Sequence, residues 1–232
     1  MIAIRRAEER GHFGQGWVDA YHTFSFDRYR DPEHTGFRQL VALNDERVEP
    51  GFERAQTAPQ DAEILSYVLE GDLETRDATG ARTVLHRGEF RRVRATGGER
   101  RVRATAASES PLHLLEFWLQ PRTASDSGEL EHVRVSDEEK RGKLKLVASS
   151  SGRDGSLRVG NEAEIFVSLL ASSEEVRHEL ASGRHAWVQV VRGMVTVNGR
   201  VLTAGDGAAA SGEAEVAIVA HSDAELVLID LA

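Results

Sequence analysis

The sequence contains no cysteine, which removes disulfides, thiolate zinc sites, iron–sulfur clusters and a cysteine nucleophile together. Gly-x-Ser-x-Gly, a Walker loop and a Rossmann fingerprint are absent too, so the usual signatures of acyl transfer, phosphoryl transfer and dinucleotide binding do not apply. No apolar run approaches the ~18 residues of a membrane helix, and residues 1–20 lack an apolar stretch of signal-peptide length. The pattern is that of a soluble, cytoplasmic protein with no membrane partner. Basic residues are in deficit: 29 Lys and Arg face 38 Asp and Glu, a formal charge of −9. A general nucleic-acid binder needs the opposite balance.

What is present is β signal. Hydrophobic residues make up 40% of 232, enough for one large β domain or two small ones. They gather in short runs bounded by Gly, Asp and Asn, such as 63–71, 112–119, 185–193, 194–199 and 224–231. Asn198-Gly199 between two such runs predicts a tight hairpin, because this pair supplies both positive-φ residues of a type I′ turn. Helical signal is confined to two serine-capped starts, Ser136 to Lys140 and Ser172 to Val176.

One layout occurs twice. Val68-Leu69-Glu70-Gly71, a hairpin, then Leu85 to Phe90 with Gly88-Glu89 parallels Val190-Val191-Arg192-Gly193, a hairpin, then Leu202 to Gly207 with Gly205-Asp206. A strand ending in Gly and a later Gly-acid turn in each half point to a duplicated barrel unit. The fold class is therefore all-β, with one barrel in residues 1–120, a polar linker at 121–143, and a second barrel in 144–232.

His22-Thr23-Phe24-Ser25-Phe26, with Tyr29, Asp31-Pro32 and Gly36-Phe37 after it, resembles the entry segment of the pirin family of bicupins. Gly11-His12, Gly16-Trp17, Asn44-Asp45, Glu63 to Gly71, Leu112-His113-Leu114 with Trp118, and Asp154 to Leu157 resemble the bacterial pirin-like branch in order and spacing. The resemblance spans nearly the whole chain. It implies two packed cupin, or jelly-roll, lobes with few short helices and a single metal ion (Fe, Ni, Mn or Zn) in the N-terminal one. For some members it also implies quercetin 2,3-dioxygenase activity, and for others a role as transcriptional cofactor.

The resemblance places the family's metal ligands, a His-x-His pair and a later His-x-Glu pair, at Thr57 and Pro59 and at Arg101 and Arg103. Thr is a weak neutral ligand, Pro has no side-chain donor, and guanidinium stays protonated. None of the nine histidines forms His-x-His or His-Glu-x-x-His, so no metal cofactor is expected. A cluster assembled from distant residues such as Glu63 and His113 stays open, and the same two are the candidates for metal-free acid–base chemistry.

The segment Arg91 to Thr105 repeats Arg-Arg-Val-Arg-Ala-Thr at a spacing of nine residues. Arg101 and Arg103 share one face of a strand, and two registers are open. Either the arginines enter the barrel, where Glu63, Asp61 or Glu99 are candidate partners, or they are solvated and Val102 is core. Inward arginines, with Thr57, suit a small anionic or phenolic ligand held bidentately. The run lacks the interleaved aromatics of a nucleic-acid surface. Trp17, Phe24, Phe26 and Phe37 read as core. Two functions compete: a metal-free binding or regulatory protein, with a protein partner among its options, and a quercetinase-type oxidoreductase with a remodelled site.

Overall fold

Alternating apolar and polar residues turn almost the whole chain into β-strands, and among the described residues the one α-helix is Asp137–Lys140. The computed structural model describes the backbone of residues 1–76, 82–104, 109–120 and 130–232, and their side chains except 56–61, 76, 96–104 and 130. The described strands form two units.

The first unit comprises Gly11–Gly36 and Leu40–Arg134. Its sheet runs in the order Gly11–Gly14, Val18–His22, Leu40–Val48, Leu112–Leu119, Glu53–Glu70, Glu89–Ala104, Leu73–Arg76, Arg82–Leu85, and Leu130–Arg134 pairs with Glu89–Ala104. Among the described residues, apolar clusters gather around Leu112, Leu114 and Val68 and around Trp118, Ile64 and Phe26.

The second unit comprises Met1–Arg10, Phe37–Gln39 and Val135–Ala232, and holds a seven-stranded and a four-stranded sheet. An apolar cluster within it runs from Val188, Val190 and Leu202 to Val216, Ile218 and Leu226. Residues 1–10, which sequence order would put in the N-terminal barrel, belong here: Ile2–Arg5 pairs antiparallel with Gly207–Ser211.

The duplicated layout has the same hydrogen bonds in both copies. Gly88 N donates to Val68 O, and Gly205 N donates to Val190 O, each at 2.9 Å. Glu89 accepts from His86 N at 2.9 Å, and Asp206 accepts from Thr203 N at 2.9 Å. Asn198 closes its hairpin with φ of 44°, as the Asn-Gly pair requires. Ser136 caps Asp137–Lys140 through a capping box with Glu139. Ser172 opens no helix. The chain turns at Ser173 and enters the strand Glu175–Glu179, whose Val176 is buried in the barrel core. The segment 121–143 also carries more structure than a linker, because Leu130–Arg134 is a strand and the helix follows it; residues 121–129 lie outside the described ones.

Asp206 fastens the N-terminal arm. It accepts from Ala7 N at 2.8 Å and from Arg6 Nη1 at 2.9 Å. Burial acts to raise its pKa, but hydrogen bonds from Thr203, Ala7 and Arg6 outweigh this and hold it below 3.8. A folded-state pKa below the unfolded value contributes stability that is complete above 3.8 and is lost as pH falls through the lowered value. Asp206→Asn is therefore expected to be less stable than wild type near neutral pH. The gap, measured by urea unfolding, closes on acidification; a gap independent of pH would refute this account.

Candidate functional site

A polar row crosses the N-terminal barrel. The ladder sets His22 opposite Asn44, Asn44 opposite Glu116, and Glu116 opposite Ser66, so the four share one face of four adjacent strands. Along Leu40–Val48 the same face carries Ala42, Asn44, Glu46 and Val48, all buried. One flank of the row is Trp118, Ile64 and Ala42; the other is Leu114, Val68 and Ala20. Polar groups thus lie between two apolar layers.

Each is held by named partners. Arg54, on the strand Glu53–Glu70, donates through Nη2 to His22 Nε2 at 3.2 Å. A guanidinium cannot accept, so Nε2 presents its lone pair and the ring proton sits on Nδ1. Nδ1 then donates to Asn44 Oδ1 at 2.8 Å. Arg54 Nη1 lies 3.5 Å from Glu46 Oε1, and its guanidinium carbon lies 5.0 Å from the Phe13 ring centroid. Glu116 accepts from Ser66 Oγ at 3.0 Å and from Trp118 Nε1 at 3.4 Å. Phe26 stands edge-on to Trp118 at 4.8 Å.

Thr57, Pro59, Arg101 and Arg103 lie on the two long paired strands, with Ala55 opposite Arg101 and Glu53 opposite Arg103. Their side chains, and those of Asp61 and Glu99, lie outside the described residues. Glu63 and His113 are not brought together. Along Leu112–Leu119, Glu63 sits opposite Leu119 and Glu70 sits opposite His113, at the two ends of the strand. Glu63 is ion-paired to Arg92 at 3.4 Å. His113 lies 2.8 Å from Asp45 and 3.4 Å from Arg47. The two candidates therefore do not form one site, and each sits in its own contact. Among the described residues no three His, Asp or Glu side chains are placed to hold a metal ion.

Phe24 and Phe26 are core. Trp17 is half-buried and stacks on the exposed Phe52 at 5.6 Å, beside a groove of about 270 Å³ bordered by Asp19, Arg47 and Glu49. Phe37 is half-buried, with Trp187 at 5.8 Å. Arg54, Glu46 and Glu116 went unnoticed in the sequence. The available signal was alternation: a charged residue on the apolar beat of a strand, as Glu46 is between Ala42 and Val48.

Two cupin lobes in one chain define a bicupin. Residues 4–119 match the Pirin domain and residues 146–231 match the quercetinase C-terminal cupin domain, and the chain belongs to the pirin family. It is 39% identical to quercetin 2,3-dioxygenase of Escherichia coli K12 over 231 residues, which covers 100% of this chain and 99% of that protein. The crystal structure of YhhW from E. coli matches with a TM-score of 0.91 at 38% identity, covering 100% of this chain and 98% of that one. Bacterial pirin YhhW in complex with nickel(II) matches at 0.88 and 37%, covering 100% and 99%.

Proposed function

We propose that this chain is a pirin-family bicupin that has given up the family's metal, and that it works by binding a small anionic or phenolic ligand in the N-terminal barrel. The observation that carries this reading is Arg54. Its fixed positive charge lies inside the barrel and takes the lone pair of His22, the imidazole of the polar row. A divalent cation beside it meets a like charge and an imidazole already used as an acceptor. The residues at the family's ligand positions agree in chemistry: Thr57, Pro59, Arg101 and Arg103 supply no imidazole and no carboxylate. Arg101, Arg103 and Thr57 belong to the same proposed binding site. The proposal places the protein in the cytoplasm, with a protein partner compatible and a nucleic-acid partner disfavoured by the charge of −9.

The second reading is a quercetin 2,3-dioxygenase-type oxidoreductase with a remodelled site. It is favoured by the name of the 39% identical relative and by the nickel(II) complex of YhhW. Flavonol dioxygenation calls for a metal to hold the deprotonated substrate and manage oxygen. Elemental analysis of untagged protein, purified without chelators and loaded in turn with Fe, Ni, Mn and Zn, separates the two. Negligible metal and no quercetin loss are expected. About one metal per chain with quercetin turnover overturns the first reading in favour of the second.

A further inference from the structure

We infer that Arg54 and Asn44 form an oxyanion-binding centre in the N-terminal barrel, which anchors an aromatic carboxylate or phenolate as a metal ion would. The inference rests on the metal-free reading above and adds to it the residues and the ligand class.

The direction of every donor in the cluster follows from Arg54. Because Nη2 donates to His22 Nε2, the imidazole proton is on Nδ1; because Nδ1 donates to Asn44, the amide turns its oxygen toward the ring. Asn44 Nδ2 therefore faces away from the imidazole. It donates to no acceptor, and neither does Arg54 Nη1. Asn44 is 0% exposed and Arg54 4%, so solvent at the surface does not serve them. Buried N–H groups without acceptors are rare in folded proteins and mark a place for an oxygen. Here the two belong to residues held by one imidazole.

Charge selects the oxygen. Glu46 Oε1, at 3.5 Å from Arg54 Nη1, partly balances the guanidinium without forming a hydrogen bond to it. The pair favours one negative or partly negative oxygen over a multiply charged anion such as phosphate. The apolar surroundings select the rest of the ligand. Phe13 lies over the Arg54 guanidinium, and Phe26 and Trp118 line the adjoining layer, which suits a flat aromatic body. In the repeated layout Val188 of the C-terminal barrel stands where Ser66 stands in the N-terminal one, so this position of the polar row is not carried by both copies.

The test is calorimetric titration of full-length, metal-analysed protein with benzoate and with its neutral isostere benzamide. Wild type is expected to bind benzoate at least about tenfold more tightly than benzamide, and Arg54→Met to lose about tenfold or more. Arg54→Lys keeps the charge without the planar fork and falls between them. Arg54→Met leaves Glu46 without its guanidinium, so Arg54→Met/Glu46→Gln is measured alongside it and checked for folding by circular dichroism. Metal-free wild type that binds neither probe, or a folded double variant that binds benzoate as wild type does, overturns this inference alone. About one tightly held metal per chain overturns the reading beneath it.

Discussion

Arg92→Ala is expected to lower the unfolding free energy by about 3–5 kcal/mol, far more than loss of a surface arginine. Arg92 is 0% exposed; its Nη1 lies 3.4 Å from Glu63 Oε1 and its Nη2 lies 3.6 Å from Glu131. Glu131 is partly exposed and can turn to water, but Glu63 is fully buried. Truncating the guanidinium therefore leaves a carboxylate in the interior without this counter-charge. Arg92→Leu/Glu63→Leu removes both charges and fills much of the volume, so it is expected to recover most of the loss. Urea unfolding followed by circular dichroism of the two variants and wild type decides the matter. If the double variant is as unstable as Arg92→Ala, the two charges are not coupled.

Strands, hairpin and duplication were legible because their signals are local. Asn198-Gly199 specifies its own turn, the Ser136 capping box lies within four residues, and the Gly–hairpin–Gly order repeats without reference to the rest of the chain. Ser172 carries the same serine–acid signal as Ser136 and yields a strand, because burying Val176 against the barrel outweighs one cap. Docking of Ile2–Arg5 on Gly207–Ser211 joins segments about 200 residues apart, and no local pattern announces such a pairing. The candidate site was half legible for the same reason. The resemblance puts the guanidinium groups of Arg101 and Arg103 in the N-terminal barrel, composition alone favours a solvated register, and the side chains of both lie outside the described residues. Arg54 became visible only when His22, Glu46 and Phe13 came together around it.

The duplication leads to the second large effect. Gly193→Ala is expected to destabilise the C-terminal barrel by about 2–5 kcal/mol, from about 1–2 for a left-handed alanine and about 1–3 for overpacking. Gly193 has φ of 83°, and a Cβ there runs into the carbonyl of Asp223 and the backbone of Ala224. These atoms lead into the strand Ala224–Leu231, paired along its length with both Glu164–Leu170 and His185–Arg192, so they have little room to retreat. Gly71 is its counterpart: φ is 67°, and a Cβ comes within 2.6 Å of the carbonyl of Pro111, just before Leu112–Leu119. Gly71→Ala is thus expected to cost a similar amount in the N-terminal barrel. Tryptophan fluorescence and circular dichroism during urea unfolding read both, since Trp118 lies in one unit and Trp187 in the other. Equal and large losses mean that each copy requires its glycine for the same close approach of turn to strand. A neutral Gly193→Ala would show that the strand start can yield, and that the repeated glycine reflects shared ancestry of the two barrels rather than a steric requirement of each.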